Sequence, residues 1–241
     1  MKAPATTWKA MLLILVVAVL GTTAPAQDTG LGSGEVEVEV ESFGVAARAR
    51  QGSMVGVRVR IRNLGSQNTE VIVRVEGVDR DGDTPFVDRT INANFNVWLG
   101  VWLYVRLPHD FESSERLSIS VYEAIESGDR FRPGRLLGRQ YTQARVSSKT
   151  DEIWGILGSR QYRLGDYGNG LQMAPTARAF GQGRVDVAPN IRINELPDHW
   201  YGLQTFDMLC FAQQEAVGMR AESAEAIKEW VRRGGHLVVV L

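Results

Sequence analysis

The chain has 241 residues, with 27 Lys and Arg against 28 Asp and Glu and a formal net charge of −1. Such a balance does not suit nucleic acid or an anionic membrane surface, because proteins bind both mainly through excess positive charge. The single cysteine, Cys210, excludes an intramolecular disulfide and a thiol-rich metal site. The three histidines lie far apart and form no H-x-x-x-H pair, so they predict no metal or cofactor.

The N-terminus has the pattern of a secretory signal peptide. Two lysines accompany the apolar run Met11–Leu20, and small residues follow it. We therefore predict cleavage between Ala26 and Gln27. An uncleaved membrane anchor is the alternative, but the run is shorter than the roughly 20 apolar residues that span a bilayer. Cleavage would release an exported protein of the periplasm or cell surface.

Residues 27–148 carry the periodicity of antiparallel strands. Glu and Val alternate from Glu35 to Val40, and Val55–Arg62 alternates apolar residues with arginines. Each strand then has one apolar and one polar face. Short strands of this kind, separated by Gly-, Pro-, Asp- and Ser-rich segments, are typical of a β-sandwich. The passage Asn63–Gly77 resembles the turn-and-strand passage of immunoglobulin-like modules in bacterial surface proteins. Strands are also predicted over residues 71–75, 97–107, 116–122 and 136–146.

An acidic segment between two of these strands is a candidate calcium site. Asp79, Asp81 and Asp83 stand at alternate positions, as ligands do in calcium loops. An EF-hand-like loop would have glycine at its sixth position and glutamate at its twelfth, whereas Gly82 is fourth and Ile91 is twelfth. An Asp-Gly pair between strands is also typical of a hairpin turn. The hairpin turn is the favoured interpretation, and a weak calcium site is the alternative.

Arginines on one strand face are a second candidate. Arg58, Arg60 and Arg62, with Arg74 alongside, form either a basic stripe for a polyanion or one side of a set of cross-strand ion pairs. The pairs are the favoured interpretation. Their acidic members would be Glu35, Glu37, Glu39 and Glu41.

A row of aromatic residues is the third candidate. Trp98, Trp102 and Tyr104 stand at even positions, so in a strand all three share one face. If the row is exposed, it is a candidate binding surface for a sugar or a protein partner. If it is buried, it belongs to the sandwich core, which is the favoured interpretation.

Residues 149–241 change periodicity. Short apolar runs predict strands at Glu152–Leu157, Arg184–Ile193, Phe206–Ala212 and His236–Leu241. Between the last two, Ala221–Arg233 has helical periodicity and is followed by two glycines that end the helix. Continuous apolar strands alternating with a helix favour a parallel sheet covered on both faces.

Two passages of this half resemble a known family. ELPDHWYGLQTFDMLCF and AIKEWVRRGGHLVVVL are similar to the N-terminal part of class I glutamine-amidotransferase-like domains, which have a flavodoxin-like fold. The resemblance implies an α/β module that is apparently truncated. The matching positions are Leu196, Pro197, Trp200, Gly202, Leu203, Asp207, Ala226, Ile227, Trp230, Val231, Gly234, Gly235, Leu237 and Val238.

Catalytic members of that family carry a cysteine on a strand-to-helix elbow. The resemblance implies an elbow after the strand His236–Leu241, and therefore beyond Leu241. Cys210 does not replace it, because the run around it has the pattern of a buried strand and buried cysteines are commonly core residues. We predict no catalytic residue in this chain.

The sequence thus predicts a multi-domain protein. Residues 1–26 are a signal peptide, 27–148 an all-β immunoglobulin-like sandwich, and 149–241 an incomplete α/β flavodoxin-like module. The favoured function is that of an exported, non-catalytic envelope or surface protein, an interaction or structural module whose partner is a protein or envelope component, without a cofactor. Membrane association would come from sequence after Leu241. The alternatives are an amidotransferase-like or hydrolase enzyme with its nucleophile beyond Leu241, and a carbohydrate-binding surface protein using Trp98 and Trp102.

Overall fold

The computed structural model describes residues 34–77, 83–158, 164, 185–211 and 218–240, and most of these lie in strands. Short 3-10 helices span Val45–Ala47, Ile193–Glu195 and Trp200–Leu203. The α-helix α1 spans Ala221–Arg232. The strands are β1 (Val36–Phe43), β2 (Arg48–Arg50), β3 (Met54–Asn63), β4 (Thr69–Glu76), β5 (Phe86–Ala93), β6 (Trp98–Arg106), β7 (Leu117–Ser127), β8 (Arg130–Thr142), β9 (Arg145–Ser147), β10 (Glu152–Leu157), β11 (Val185–Ile191), β12 (Met208–Phe211) and β13 (His236–Val239).

Seven strands form an antiparallel β-sandwich, as the alternation predicted. One sheet has the order β1-β3-β6 and the other the order β5-β4-β7-β8. The period-2 pattern of β3 places Val57, Val59 and Ile61 in the core, fully buried, and its arginines on the outer face. The facing sheet contributes apolar residues from β4 and β7. The core is therefore the layer between the two valine-rich faces.

The edge strand β5 was not predicted. Its sequence, FVDRTINA, has no sustained alternation, and most of its side chains are exposed. It is held by pairing with β4 from Thr69 to Glu76 rather than by an apolar face of its own. An edge strand of this kind has no sequence signal because it buries little.

The second half contains a four-stranded parallel sheet with the order β11-β10-β12-β13. One face, with Ile153 and Leu209, packs against α1 and the 3-10 helix Trp200–Leu203. The other face has a smaller apolar cluster that includes Ile156 and Cys210. In the described part of the chain, no helix is long and apolar enough to cross a membrane.

The predicted glutamine-amidotransferase-like module, and with it the α/β flavodoxin-like class, is wrong. That fold covers both faces of a parallel sheet with helices. The described residues are mostly strand and contain only the α-helix α1, so the chain is mainly β in class. Sandwich residues Val45 and Trp102 supply part of the cover that additional helices would provide in that fold. The matched passages indicate short apolar strands and a helix that is followed by Gly234 and Gly235, and these features are not specific to that fold.

The sandwich and the parallel sheet share an extensive contact. Trp102 and Tyr104 of β6 lie against the segment 196–203. Arg50 of β2 forms an ion pair with Asp207, at the start of β12. The contact surface thus combines a buried aromatic centre with charged pairs at its margin. Its further polar contacts include Arg48 Nε to Asp186 Oδ2 at 2.9 Å, Met54 N to Gln204 Oε1 at 3.3 Å and Arg58 Nη1 to Asn194 O at 2.8 Å.

Candidate functional site

The candidate metal and cleavage residues fall mostly outside the described part of the chain. Asp79, Asp81, Ala26 and Gln27 all lie outside it, and the cleavage site stays a prediction. Asp83 is exposed in the segment before β5. Among the residues that the structure describes, no group of three or more His, Cys, Asp or Glu side chains is placed to hold a metal ion.

The arginines of β3 form cross-strand ion pairs with the glutamates of β1 rather than an unpaired basic stripe. The pairing follows the antiparallel register of the two strands. Arg74 lies on the other sheet and pairs with Asp88 at 2.7 Å. The outer face of β1 and β3 is therefore close to electrically neutral. Its pairs are Arg58 with Glu41 at 2.7 Å, Arg60 with Glu39 at 2.7 Å, and Arg62 with Glu37.

Trp98, Trp102 and Tyr104 share the outer face of β6, but they have three different environments. Trp102 is only 2% exposed, and it belongs to the cluster around Ile153 and Leu203 rather than to the sandwich core. Its ring lies over Gly56, where a Cβ atom would come within 2.9 Å of the indole. The favoured sandwich-core interpretation is therefore wrong for Trp102, which packs between the sandwich and the parallel sheet.

Tyr104 is mostly buried beside Trp102, with the two rings stacked at a centroid distance of 6.3 Å. Its hydroxyl donates to Asp198 and accepts from the backbone N–H of His199 at 3.1 Å. Burial raises the pKa of the Tyr104 phenol, and the hydrogen bond to the Asp198 carboxylate raises it further. Tyr104 is thus a neutral hydrogen-bonding residue of the contact and not part of an open platform.

Trp98 is the member of the row that remains accessible. The guanidinium groups of Arg60 and Arg62 lie 4.7 and 4.9 Å from its ring centroid. These cation–π contacts hold the indole flat against the paired arginines. One half-exposed tryptophan does not make the extended aromatic surface that the sequence suggested.

Replacing Trp98 with alanine should have a small effect on stability. The side chain is partly exposed and mainly contacts two arginines that also have glutamate partners. Two exposed cation–π contacts are worth about 1 kcal/mol together. Urea unfolding followed by circular dichroism should therefore show a loss of about 1 kcal/mol. A much larger loss would mean that Trp98 supports the fold.

Apolar side chains are exposed at the end of the sandwich that lies away from the parallel sheet. At this end β3 and β5 finish, β4 and β6 begin, and the β7–β8 hairpin turns. We call this surface the distal end. Single exposed apolar residues are common, but a group on neighbouring loops is unusual on a protein surface. Its exposed apolar residues are Leu64, Phe95, Val97, Ile125 and Phe131.

A cleft of about 250 Å³ lies among these loops. The buried Asn63 side chain ties two of the loops together, because its Nδ2 donates to Gln67 O at 2.7 Å and to Ala93 O at 3.0 Å. Arg135 crosses the rim and pairs with Glu35 at 2.7 Å. The distal end thus has a polar cleft with hydrogen-bonded walls, in addition to its exposed apolar residues.

Cys210 lies on β12 and is buried against Ile156 and Val187. Burial raises the pKa of its thiol. A raised pKa disfavours the thiolate, which is the nucleophilic form. The position does not suit a reactive cysteine.

Sequence reasoning missed the distal end. The available signal was in the segment Asn94–Val97, where Phe95 and Val97 alternate with asparagines. Asparagine favours turns and tolerates the left-handed region, and Asn96 has φ of 53°. Large apolar residues in a connection between two strands lie beyond the sheet, and the strands on either side do not bury all of them.

No known family model and no curated protein matches this chain. Among solved structures, the C-terminal domain of wzt is 11% identical, with 52% of this chain and 81% of that one covered and a TM-score of 0.34. A CARDB domain from Pyrococcus furiosus is 11% identical, with 48% and 92% covered and a TM-score of 0.29. Cwp6 from Clostridium difficile is 8% identical, with 86% and 37% covered and a TM-score of 0.27. At TM-scores this low, the likenesses carry no conclusion about function.

Proposed function

We propose that this chain is an exported, non-catalytic interaction module of the cell envelope or surface, and that its distal end binds a partner protein. The observation that carries the proposal is the group of five large apolar residues exposed on the loops at this end of the sandwich. Protein interfaces combine an apolar centre with a polar rim. The loops that connect the strands of a sandwich are a common place for such a surface.

The charges at the distal end favour a protein partner with mixed charge. Glu35 and Arg135 pair across the cleft, and Glu123 lies 4.0 Å from the same guanidinium. Both signs are therefore present within one small area. A partner that offers an acid to Arg135 and a base to Glu123 would complement both side chains.

The environment of Cys210 supports a non-catalytic role. The sole thiol of the chain is buried and its pKa is raised. The carbohydrate alternative based on Trp98 and Trp102 loses its second tryptophan, because Trp102 is buried in the contact between the sandwich and the parallel sheet. A flat sugar-binding surface needs adjacent exposed aromatic rings, and β6 has a single one, that of Trp98.

Site-specific photocrosslinking in the producing cells tests the proposal. The photoreactive residue p-benzoylphenylalanine replaces Phe95 in one sample and Phe86 in the other. The two phenylalanines are matched in exposure, at 51% and 54%, but Phe86 lies at the opposite end of the sandwich. We expect one discrete protein adduct from position 95, recovered with the envelope or exported fraction, and none from position 86.

A second substitution shows whether the adduct depends on the proposed surface. Leu64→Asp changes a neighbouring loop of the distal end and should lower the adduct yield about tenfold, because a charge would be buried in the interface. An adduct of twice the chain's mass would identify a second copy as the partner. The absence of an adduct, equal adducts from both positions, or an undiminished yield in the Leu64→Asp variant would each contradict the proposal.

A further inference from the structure

The parallel sheet has two edge strands, and they differ in how well they are protected against pairing with another strand. β11, at one edge, contains Pro189, which has no N–H to donate, and its pairing with β10 shifts register after Gly155. Prolines and bulges are usual means by which proteins keep an edge strand from pairing. Arg48 of the sandwich also forms an ion pair with Asp186 of β11. The β11 edge is therefore unsuited to a further strand.

β13, at the other edge, has none of these features. It pairs with β12 in unbroken parallel register from His236 to Val239, and it carries no proline, aspartate, glutamate, lysine or arginine. Within the described part of the chain, no strand pairs with its other side. Leu237, Val238 and Val239 are 37%, 43% and 53% exposed. A regular, apolar and uncharged edge of this kind is a template for pairing with another strand.

The helix α1 has one flank that the described residues leave uncovered. The segment 196–203 covers the other flank, because Ser223 Oγ donates to Leu196 O at 3.2 Å and the Arg233 guanidinium lies 4.1 Å from the ring centroid of Trp200. That segment also contacts β3 of the sandwich. The uncovered flank, which we call the open flank, therefore faces away from the sandwich, as the β13 edge does. Its residues are Ala221, Ala224, Lys228 and Val231, at helical spacing.

The backbone of β13 determines how a second strand can pair with it. Alternate residues of a strand direct their N–H and C=O groups to opposite sides. The N–H of Val240 donates to Phe211 O, on the β12 side, so the backbone groups of Leu237 and Val239 point to the free side. An antiparallel copy of β13 uses both of these residues when Leu237 lies opposite Val239 of the copy. In that register Val238 lies opposite itself, in a pair without hydrogen bonds.

We propose that a second copy of the chain pairs with β13 in antiparallel orientation, about a two-fold axis at Val238. The two four-stranded parallel sheets then form one continuous sheet, and each exposed edge covers the other. A self-complementary contact of this kind is the commonest type in homodimers. The dimer involves only the second half of the chain and is independent of the partner of the distal end.

The same two-fold axis brings the open flanks of the two α1 helices together. Because α1 connects β12 to β13 and packs over them, the two helices lie two strand spacings apart, about 9.5 Å. Packed helices are about 8–10 Å apart. The helices run antiparallel, so Ala224 of one copy faces the region of the exposed Val231 of the other, and Glu225 faces the basic end that carries Arg232. This complementarity of shape and charge favours a second copy as the occupant over an unrelated strand.

Sedimentation equilibrium of the purified full chain tests the proposal. We expect twice the mass of one chain at about 100 μM, because one strand pair and one helix pair make an interface at the small end of the stable range. Val238→Lys places two like charges opposite each other across the axis and should weaken the dimer at least about tenfold. Val87→Lys is the matched control, since Val87 is 37% exposed on the edge strand β5 of the sandwich. It should leave the dimer unchanged.

A disulfide between the two copies tests the register. Residues opposite each other in a pair without hydrogen bonds have Cα atoms about 4.5 Å apart, which a disulfide can span. Val238→Cys should therefore form a covalent dimer on mild oxidation. Leu237→Cys is the control, because Leu237 is similarly exposed but lies diagonally across from its counterpart, about 7–8 Å away. It should crosslink at least about tenfold more slowly.

Three outcomes would overturn the proposal: a monomer at about 100 μM, an unchanged dimer in the folded Val238→Lys variant, or equal crosslinking of Val238→Cys and Leu237→Cys. Circular dichroism verifies that each variant is folded, and the two cysteine variants decide the matter if Val238→Lys does not fold. The distal-end variant Leu64→Asp should keep the dimer. Failure of the dimer and failure of the proposed function are therefore distinguishable.

Discussion

Replacing Trp102 with alanine should lower the free energy of unfolding by about 3–5 kcal/mol, the usual cost of removing a large buried aromatic side chain. The indole is 2% exposed and fills the space between β6 and the cluster around Ile153 and Leu203. Trp102 lies in the middle of β6, which is paired with β3 along its length. Neither β6 nor the cluster around Ile153 and Leu203 can therefore fill the vacated volume without a backbone shift. Urea unfolding followed by circular dichroism measures the change.

Two controls separate packing from a general effect of losing a tryptophan. Trp98→Ala removes the same residue type from the same face of β6 and should cost only about 1 kcal/mol. Trp102→Phe should cost less than Trp102→Ala, since it keeps a ring and removes an Nε1 that has no hydrogen-bond partner among the described residues. Equal losses for the two alanine variants would contradict the assignment of Trp102 to the contact with the parallel sheet.

The sandwich could be predicted because its strands bury one face each. In β3 the alternation of Val57, Val59 and Ile61 with arginines is a direct consequence of the two-residue period of a strand. The same alternation predicted the pairing of those arginines with the glutamates of β1. Strand β5 could not be predicted this way, because both of its faces are largely exposed.

The cover of the parallel sheet could not be predicted from the second half alone. The apolar runs around Ile153 and Leu209 show that the strands are buried but do not show by what. In the structure Val45 and Trp102, which are distant in sequence, supply part of that cover. The flavodoxin-like interpretation assigned the whole cover to local helices and was therefore wrong.

The candidate sites depend on exposure, which periodicity does not determine. Trp98 and Trp102 stand on the same face of the same strand, yet only Trp102 is covered by the second half of the chain. Phe95 is exposed because its loop lies beyond the end of the core and not because of its residue type. Whether these side chains are exposed depends on how the two halves of the chain contact each other. That contact joins residues that are far apart in sequence.

Replacing Asp207 with asparagine should destabilise the protein by about 2–3 kcal/mol. The Arg50 guanidinium is only 13% exposed and would lose its compensating charge, while Asp207 itself is 37% exposed. Breaking a fully buried pair costs about 3–5 kcal/mol, and the partial exposure of Asp207 reduces that figure. The variant should therefore weaken the contact between β2 and the parallel sheet, where Arg50 meets Asp207. Urea unfolding at neutral pH provides the measurement.

A double-mutant cycle with Arg50→Met assigns the loss to the ion pair. If the cost comes from an uncompensated guanidinium, removing that charge should restore part of the stability that Asp207→Asn loses. The matched control is Glu225→Gln, which breaks an ion pair with Lys228 on the exposed face of α1 and should leave stability nearly unchanged, because exposed ion pairs contribute little. Additive effects of Asp207→Asn and Arg50→Met would show that the two side chains are not energetically coupled. The Arg50–Asp207 pair would then contribute little to the contact between the two halves of the chain.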